Sequence, residues 1–103
     1  MILGLLALAL FCACRQADIR TVTIKAPGLK NQQCEGIVSN VLTRQDGVRP
    51  ESIRFSPGAV TVTYDSMKVA IKNLEYAMAG VGFAANEIPA QQKAYEALPP
   101  ECK

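Results

Sequence analysis

RTVTIKAPGLKNQQCEGIVSNVL, residues 20–42, reads as a strand, a loop and a helix in that order. In its first part apolar and polar residues alternate. Val22, Ile24 and Ala26 point one way and Thr21, Thr23 and Lys25 the other, the pattern of a half-buried strand. Pro27 and Gly28 break that pattern. From Cys34 onward the apolar positions are Cys34, Ile37, Val38, Val41 and Leu42, which form one stripe of an amphipathic helix. Asn31 stands where an N-cap is needed, because its side-chain oxygen can accept a free backbone N–H of the first turn. Asp46 and Gly47 follow the helix. The loop therefore delivers one thiol, Cys34, to the start of a helix.

The rest of the chain extends this unit. Residues 51–56 alternate again, with Ile53 and Phe55 on one face, and Pro57-Gly58 forms a turn. Residues 59–64 alternate most cleanly, with Val60, Val62 and Tyr64 inward, so the two strands make a hairpin. A second helix is expected from Asp65 or Ser66, with Ile71, Leu74, Met78 and Val81 as its stripe and Ala77 filling in. Gly80 and Gly82 stop it. Residues 83–88 read as a short fourth strand although alanine and asparagine are poor strand formers, and Pro89 ends it. The order β-α-β-β-α-β predicts an α+β fold. It is the ferredoxin-like βαββαβ sandwich, a four-stranded antiparallel sheet with two helices on one face. Each helix stripe matches the single apolar face that each strand offers, so local pattern and global order agree. The expected organisation is a linker at 15–19, a domain at 20–89 and a tail at 90–103 that carries a short helix near 90–98.

Composition narrows the function. A chain of 103 residues holds one small domain. A net charge of +2, without a dense Lys/Arg cluster, gives no footprint for nucleic acid. The absence of histidine excludes a His-based general base and any His-ligated metal. Glu35 and Glu51 have no carboxylate partner at a useful spacing, and no nucleophile–base pair is present, so an enzyme is not expected.

Residues 1–14 carry no charge, and Ile2 to Phe11 form an apolar run. The run is shorter than the roughly 20 residues that span a bilayer, and it suits the core of a signal or lipoprotein leader. Ala13-Cys14 resembles the bacterial lipoprotein processing site, in which the cysteine takes the lipid. The expectation is export to the periplasm, or anchorage at the membrane through Cys14. A plain N-terminal anchor is the alternative, and Cys12 is the neighbouring thiol.

Four stretches in order carry a family resemblance: TVTIKAPGL (21–29), DGV (46–48), VTVTYD (60–65) and AMAGVGF (77–83). Residues 20–89 resemble the heavy-metal-associated domain of copper chaperones, of the tails of copper-pumping ATPases and of periplasmic mercury-binding proteins. The resemblance implies binding or transfer of a soft ion, Cu(I), Hg(II) or Zn(II), and a metal-transporting ATPase or other metal-handling protein as partner. The family's metal motif, Gly-Met-x-Cys-x-x-Cys, falls on residues 28–34. Its second cysteine is Cys34, while Asn31 replaces the first and Leu29 the methionine. The aromatic that the family places beside the metal loop is Phe83.

An asparagine amide is a hard, neutral donor and does not replace a thiolate for a soft ion. Cys34 alone is half a site, favoured as thiolate by the helix N-terminus. The second thiolate has three sources: Cys102 from the tail, Cys34 of another copy, or a partner's cysteine. From its expected start at the sheet end opposite the loop, the tail reaches back only if its flanks extend. With the leader removed and Cys14 lipidated, Cys34 and Cys102 remain, and in an oxidising compartment they favour a disulfide of about 3–4 kcal/mol. Two readings stay open. One is a soft-metal module using Cys34 with a borrowed thiolate. The other is a metal-free, anchored interaction domain clipped by Cys34–Cys102. Met78, at helical spacing, reads as core.

Overall fold

The computed structural model describes residues 16–103. The leader at 1–14, with Cys12 and the lipidation candidate Cys14, lies outside the described residues. Strand β1 (Ile19–Lys25) leads through the loop to helix α1 (Gln32–Thr43). A single 3-10 turn (Pro50–Ser52) precedes β2 (Arg54–Ser56), which hairpins into β3 (Ala59–Asp65). Helix α2 (Ile71–Ala79) follows, then a short α3 (Gln92–Glu96) and a closing 3-10 turn (Pro100–Cys102).

The sheet is antiparallel with the order β1-β3-β2. Its register runs from Ile19 opposite Asp65 to Lys25 opposite Ala59, and Phe55 lies opposite Val60. Alternation decides the faces. Ile24, Val60, Val62 and Tyr64 are buried against the helices, together with Cys34, Val38 and Leu42 of α1 and Leu74 and Met78 of α2. On the other face threonines pair across the strands, Thr21 with Thr63 and Thr23 with Thr61, each hydroxyl pair at 2.9 Å. Leu98 and Cys102 of the tail belong to the same core. Each buried aliphatic side chain contributes about 1.5–3 kcal/mol relative to exposure.

Three expectations are corrected. First, residues 83–88 do not form a fourth strand. The chain turns back on itself, with Ala85 and Ile88 exchanging backbone hydrogen bonds at 2.9 Å in both directions. Asn86 takes a φ of 51°, the left-handed region that asparagine tolerates better than most residues. What remains of strand pairing is one residue. The Asn86 N–H donates to the Lys25 carbonyl at 2.8 Å, and the Lys25 N–H donates to the Asn86 side-chain oxygen at 2.9 Å. The Asn86 amide group also donates to Glu75 Oε2 at 2.7 Å. Glu75 is buried, and its Oε1 has no hydrogen-bond partner among the described residues; Lys72 Nζ stands 3.5 Å away as an ion pair from the surface.

Second, α2 begins at Ile71 rather than at Asp65 or Ser66. The Asp65 carboxylate accepts the Met67 N–H at 3.0 Å and the Asp18 N–H at 3.1 Å, which folds 65–69 into a turn. Val69 is buried ahead of the helix, while Ile71 is 38% exposed and does not belong to the stripe. Third, the strand expected at 51–56 is only Arg54–Ser56, because Pro50 starts a 3-10 turn instead. With the tail helix, three α-helices accompany three strands among the described residues.

α2 ends as the glycines require. Gly80 caps it, Gly82 has a φ of 101°, and the Phe83 N–H donates to the Met78 carbonyl at 3.1 Å. This exit directs Phe83 into the core and starts the turn at 85–88.

Candidate functional site

The loop between β1 and α1 is held at both ends. The Ala26 N–H donates to the Gly58 carbonyl at 2.8 Å, and the Leu29 N–H to the Ala26 carbonyl at 3.1 Å. Leu29 is buried. Phe83 packs under the loop so closely that a Cβ on Gly28 would lie 3.3 Å from its ring. Phe83 is 1% exposed, so it is both a core residue and the floor of the loop.

Asn31 is the N-cap of α1, with its side-chain oxygen accepting the Cys34 N–H at 3.1 Å. The same oxygen lies 3.2 Å from Cys34 Sγ. Its amide nitrogen donates to the Glu101 carbonyl at 3.1 Å. The Lys30 ammonium donates to the main-chain oxygen of Lys103. Two neighbouring loop residues therefore hold the end of the tail.

Cys34 and Cys102 form a disulfide, with their Cα atoms 5.7 Å apart across 68 residues of sequence. Both are buried, at 0% and 2% exposure. Bonded sulfur has no proton to donate, so the approach of Asn31 to Cys34 Sγ is a contact in this state and becomes a hydrogen bond only in the thiol. Cys34 sits in the first turn of α1 and Cys102 in the 3-10 turn that Pro100 opens.

The tail reaches the loop by a shorter route than the sequence suggested. Because the chain reverses at 85–88, the tail starts beside the end of α2, where the Gln91 N–H donates to the Ala79 carbonyl at 2.9 Å. α3 then passes over Gly82. A Cβ there would lie 2.9 Å from the Ala94 carbonyl oxygen and from Leu98 Cγ. Gly82 thus serves both its own backbone angle and the close approach of the tail.

Among the described residues, no group of three or more His, Cys, Asp or Glu side chains is gathered. No described helix is long and apolar enough to cross a membrane. The tail contacts of Lys30, Asn31 and Gly82 were not read from the sequence. Pro99-Pro100 just before Cys102 was the available signal, since proline presets a turn and limits where the cysteine can go.

No protein-family profile and no curated protein sequence matches the chain. Solved structures do. Oxidised MerP from Ralstonia metallidurans CH34 is 24% identical, with a TM-score of 0.61 over 67% of this chain and 96% of that one. The CopZ metallochaperone is 26% identical, with a TM-score of 0.59 over 64% of this chain and 98% of that one. A ZiaAN sub mutant is 24% identical, with a TM-score of 0.58 over 68% of this chain and 99% of that one. All three are heavy-metal-associated-domain proteins, and the chain shares their fold.

Proposed function

We propose that the chain binds or passes on a soft metal ion through Cys34 and Cys102, with the disulfide as the oxidised, metal-free form of the site. One observation carries this reading: the tail places a second sulfur beside the first-turn cysteine of a heavy-metal-associated fold in which Asn31 holds the other motif position. Reduction by a dithiol breaks the S–S bond. The dithiol becomes a disulfide, and its two electrons and two protons leave Cys34 and Cys102 as thiols. Loading a metal then releases those protons, because only thiolates ligate.

The donor set fits a two-coordinate ion. Two thiolates whose backbones are this close can grip Cu(I) or Hg(II), both soft and content with sulfur. Zn(II) fits less well, since structural zinc takes four ligands and the described residues gather no third Cys, His, Asp or Glu. The apolar run at 2–11 and Ala13-Cys14 support export and lipid anchorage. A metal-transporting ATPase or another metal-handling protein is the partner that fits, and no enzymatic step is proposed.

The test is Cu(I) competition against a chromophoric chelator, with Cys12 and Cys14 replaced by serine throughout. The reduced chain is expected to take one Cu(I) and the oxidised chain none. Cys34→Ser and Cys102→Ser should each weaken binding by at least about a hundredfold, since a lone thiolate leaves the ion half-ligated. Equal binding by Cys102→Ser would remove the tail from the site.

A second reading rests on the burial of both sulfurs. It makes the disulfide a permanent clip in a metal-free, anchored interaction domain. A reduced chain that takes no Cu(I) while keeping its fold would favour it.

A further inference from the structure

Asn31 uses both ends of its amide. Oδ1 accepts the Cys34 N–H at 3.1 Å, and Nδ2 donates to the Glu101 carbonyl at 3.1 Å. Turned over, the amide would set donor against donor and acceptor against acceptor, so the two partners together fix its orientation. A helix cap needs only the oxygen, which serine, threonine or aspartate also supplies. The nitrogen is surplus to the cap, and the tail takes it.

The end of the tail has few other polar ties. Within residues 99–103 the Cys102 N–H donates to the Pro99 carbonyl and the Lys103 N–H to the Pro100 carbonyl, both inside the closing turn. Among the described residues, the hydrogen bonds that join this turn to the rest of the domain come from Lys30 and Asn31. The Glu101 carbonyl also lies 3.8 Å from Cys34 Sγ, a contact while the sulfur is bonded. Neither latch bond involves a sulfur, so breaking the disulfide leaves both bonds in place. Both sulfurs are buried, so a reagent reaches them only when the tail lifts.

We infer that Asn31 is a positioning residue: its amide, helped by the Lys30 ammonium, holds the reduced tail closed and keeps the Cys102 sulfur beside that of Cys34. The position at which the family's motif has its first cysteine then carries no metal ligand. It carries the group that brings the replacement ligand in from the tail. Holding the tail confines one thiol near the other and raises its effective concentration there. The inference concerns the same two sulfurs as the metal-site reading, but its test needs no metal, so a chain that takes no Cu(I) leaves it standing.

Alkylation of the reduced full chain by iodoacetamide tests it, with Cys12 and Cys14 replaced by serine and the reductant removed beforehand. The rate at Cys34 and Cys102 reports how often the tail lifts. Asn31→Asp keeps a capping oxygen and loses the donor, Asn31→Ala loses both, and Lys30→Met keeps the stem and loses the ammonium. Asn31→Asp and Asn31→Ala should each speed alkylation by at least about fivefold, and Lys30→Met by about threefold, the range that one hydrogen bond covers. Asn31→Asp and Lys30→Met make the surroundings of the sulfurs more negative, which alone slows a thiolate reaction, so a faster rate means opening. Amide exchange separates the latch from the cap and from general loosening. The Cys34 amide should stay protected in Asn31→Asp and lose protection in Asn31→Ala, while the core amides of α2 stay unchanged in Lys30→Met. Alkylation unchanged in both Asn31→Asp and Lys30→Met would overturn the inference, because burial of Leu98 and Cys102 would then hold the tail unaided. Faster alkylation matched by an equal loss of protection in α2 would overturn it too, since that is unfolding rather than release of the tail.

Discussion

The two strand–helix units of this domain begin alike and end differently. β1 runs through the Pro27-Gly28 loop into α1, and β3 runs through the Asp65 turn into α2. After α1 the chain returns to the sheet as a strand. After α2 its backbone bonds to β1 at Asn86 and then turns away. That difference has two consequences. The reversal starts the tail beside α2, close enough for Cys102 to reach Cys34, and among the described residues it leaves the β1 edge with backbone pairing at Lys25 alone. A fourth strand would have covered the edge and started the tail far from the loop. One turn thus trades sheet pairing for a second sulfur.

The largest effect expected at the tail is loss of the disulfide. Cutting a loop of this length loose should cost about 4 kcal/mol of stability by the loop-entropy relation. Urea unfolding of the oxidised chain against the Cys34→Ser, Cys102→Ser double variant measures it. A difference below about 1 kcal/mol would mean the tail is ordered without the bond. Phe83→Ala tests the floor shared by core and loop. It should cost about 3–4 kcal/mol in the same assay and loosen the loop above it.

Asn86 sharpens the comparison from the other side. Asn86→Ala loses the contacts to Lys25 and Glu75 and puts alanine at positive φ, for a cost of about 2–3 kcal/mol. Asn86→Gly keeps the turn and loses only the side-chain bonds, so it should cost roughly 1 kcal/mol less than the alanine variant. If both cost the same in urea unfolding, the angle plays no part in the reversal.

Asn31→Ala should cost about 1 kcal/mol as a lost N-cap, and it also frees Glu101. Exchange of the Cys34 amide reports the first effect and exchange in the tail does not, so the two roles separate. The smallest effect lies at Asp18, on the strand end far from the cysteines. The hydrogen bond from Ser66 holds its carboxyl below the usual range, aided by Arg20 and opposed by partial desolvation. A depressed folded-state value means the contribution is present above the ordinary carboxylate range and is lost as pH falls through the folded value. Asp18→Asn should flatten the acid limb of the stability curve slightly and leave neutral pH nearly unchanged.

How much of this could be read beforehand follows from the physics of each region. β1, its loop and α1 obey strict periodicities, and the Asn31 cap is a local hydrogen bond three residues long, so the sequence states them openly. Residues 83–88 offered an apolar start and a proline end, which fit a strand as well as a turn. The deciding fact, a left-handed asparagine held by Lys25 and Glu75, is tertiary. The start of α2 was misplaced for a similar reason: Asp65 caps a turn with partners as distant as Asp18. In the candidate site, Cys34 was legible because helix period and loop position coincide there. The union with Cys102 was one of three open sources. It depends on Gly82 admitting the tail and on Asn31 and Lys30 catching its end, contacts that no local pattern encodes.

Both the metal-site reading and the clip reading require the tail to close over the loop. Intact-mass and peptide mapping of the chain, purified without reductant and alkylated before and after reduction, examines that closure directly. The account predicts a peptide linking Cys34 to Cys102, with both residues alkylated only after reduction. Alkylation of both thiols without reduction, in a folded chain, would contradict it.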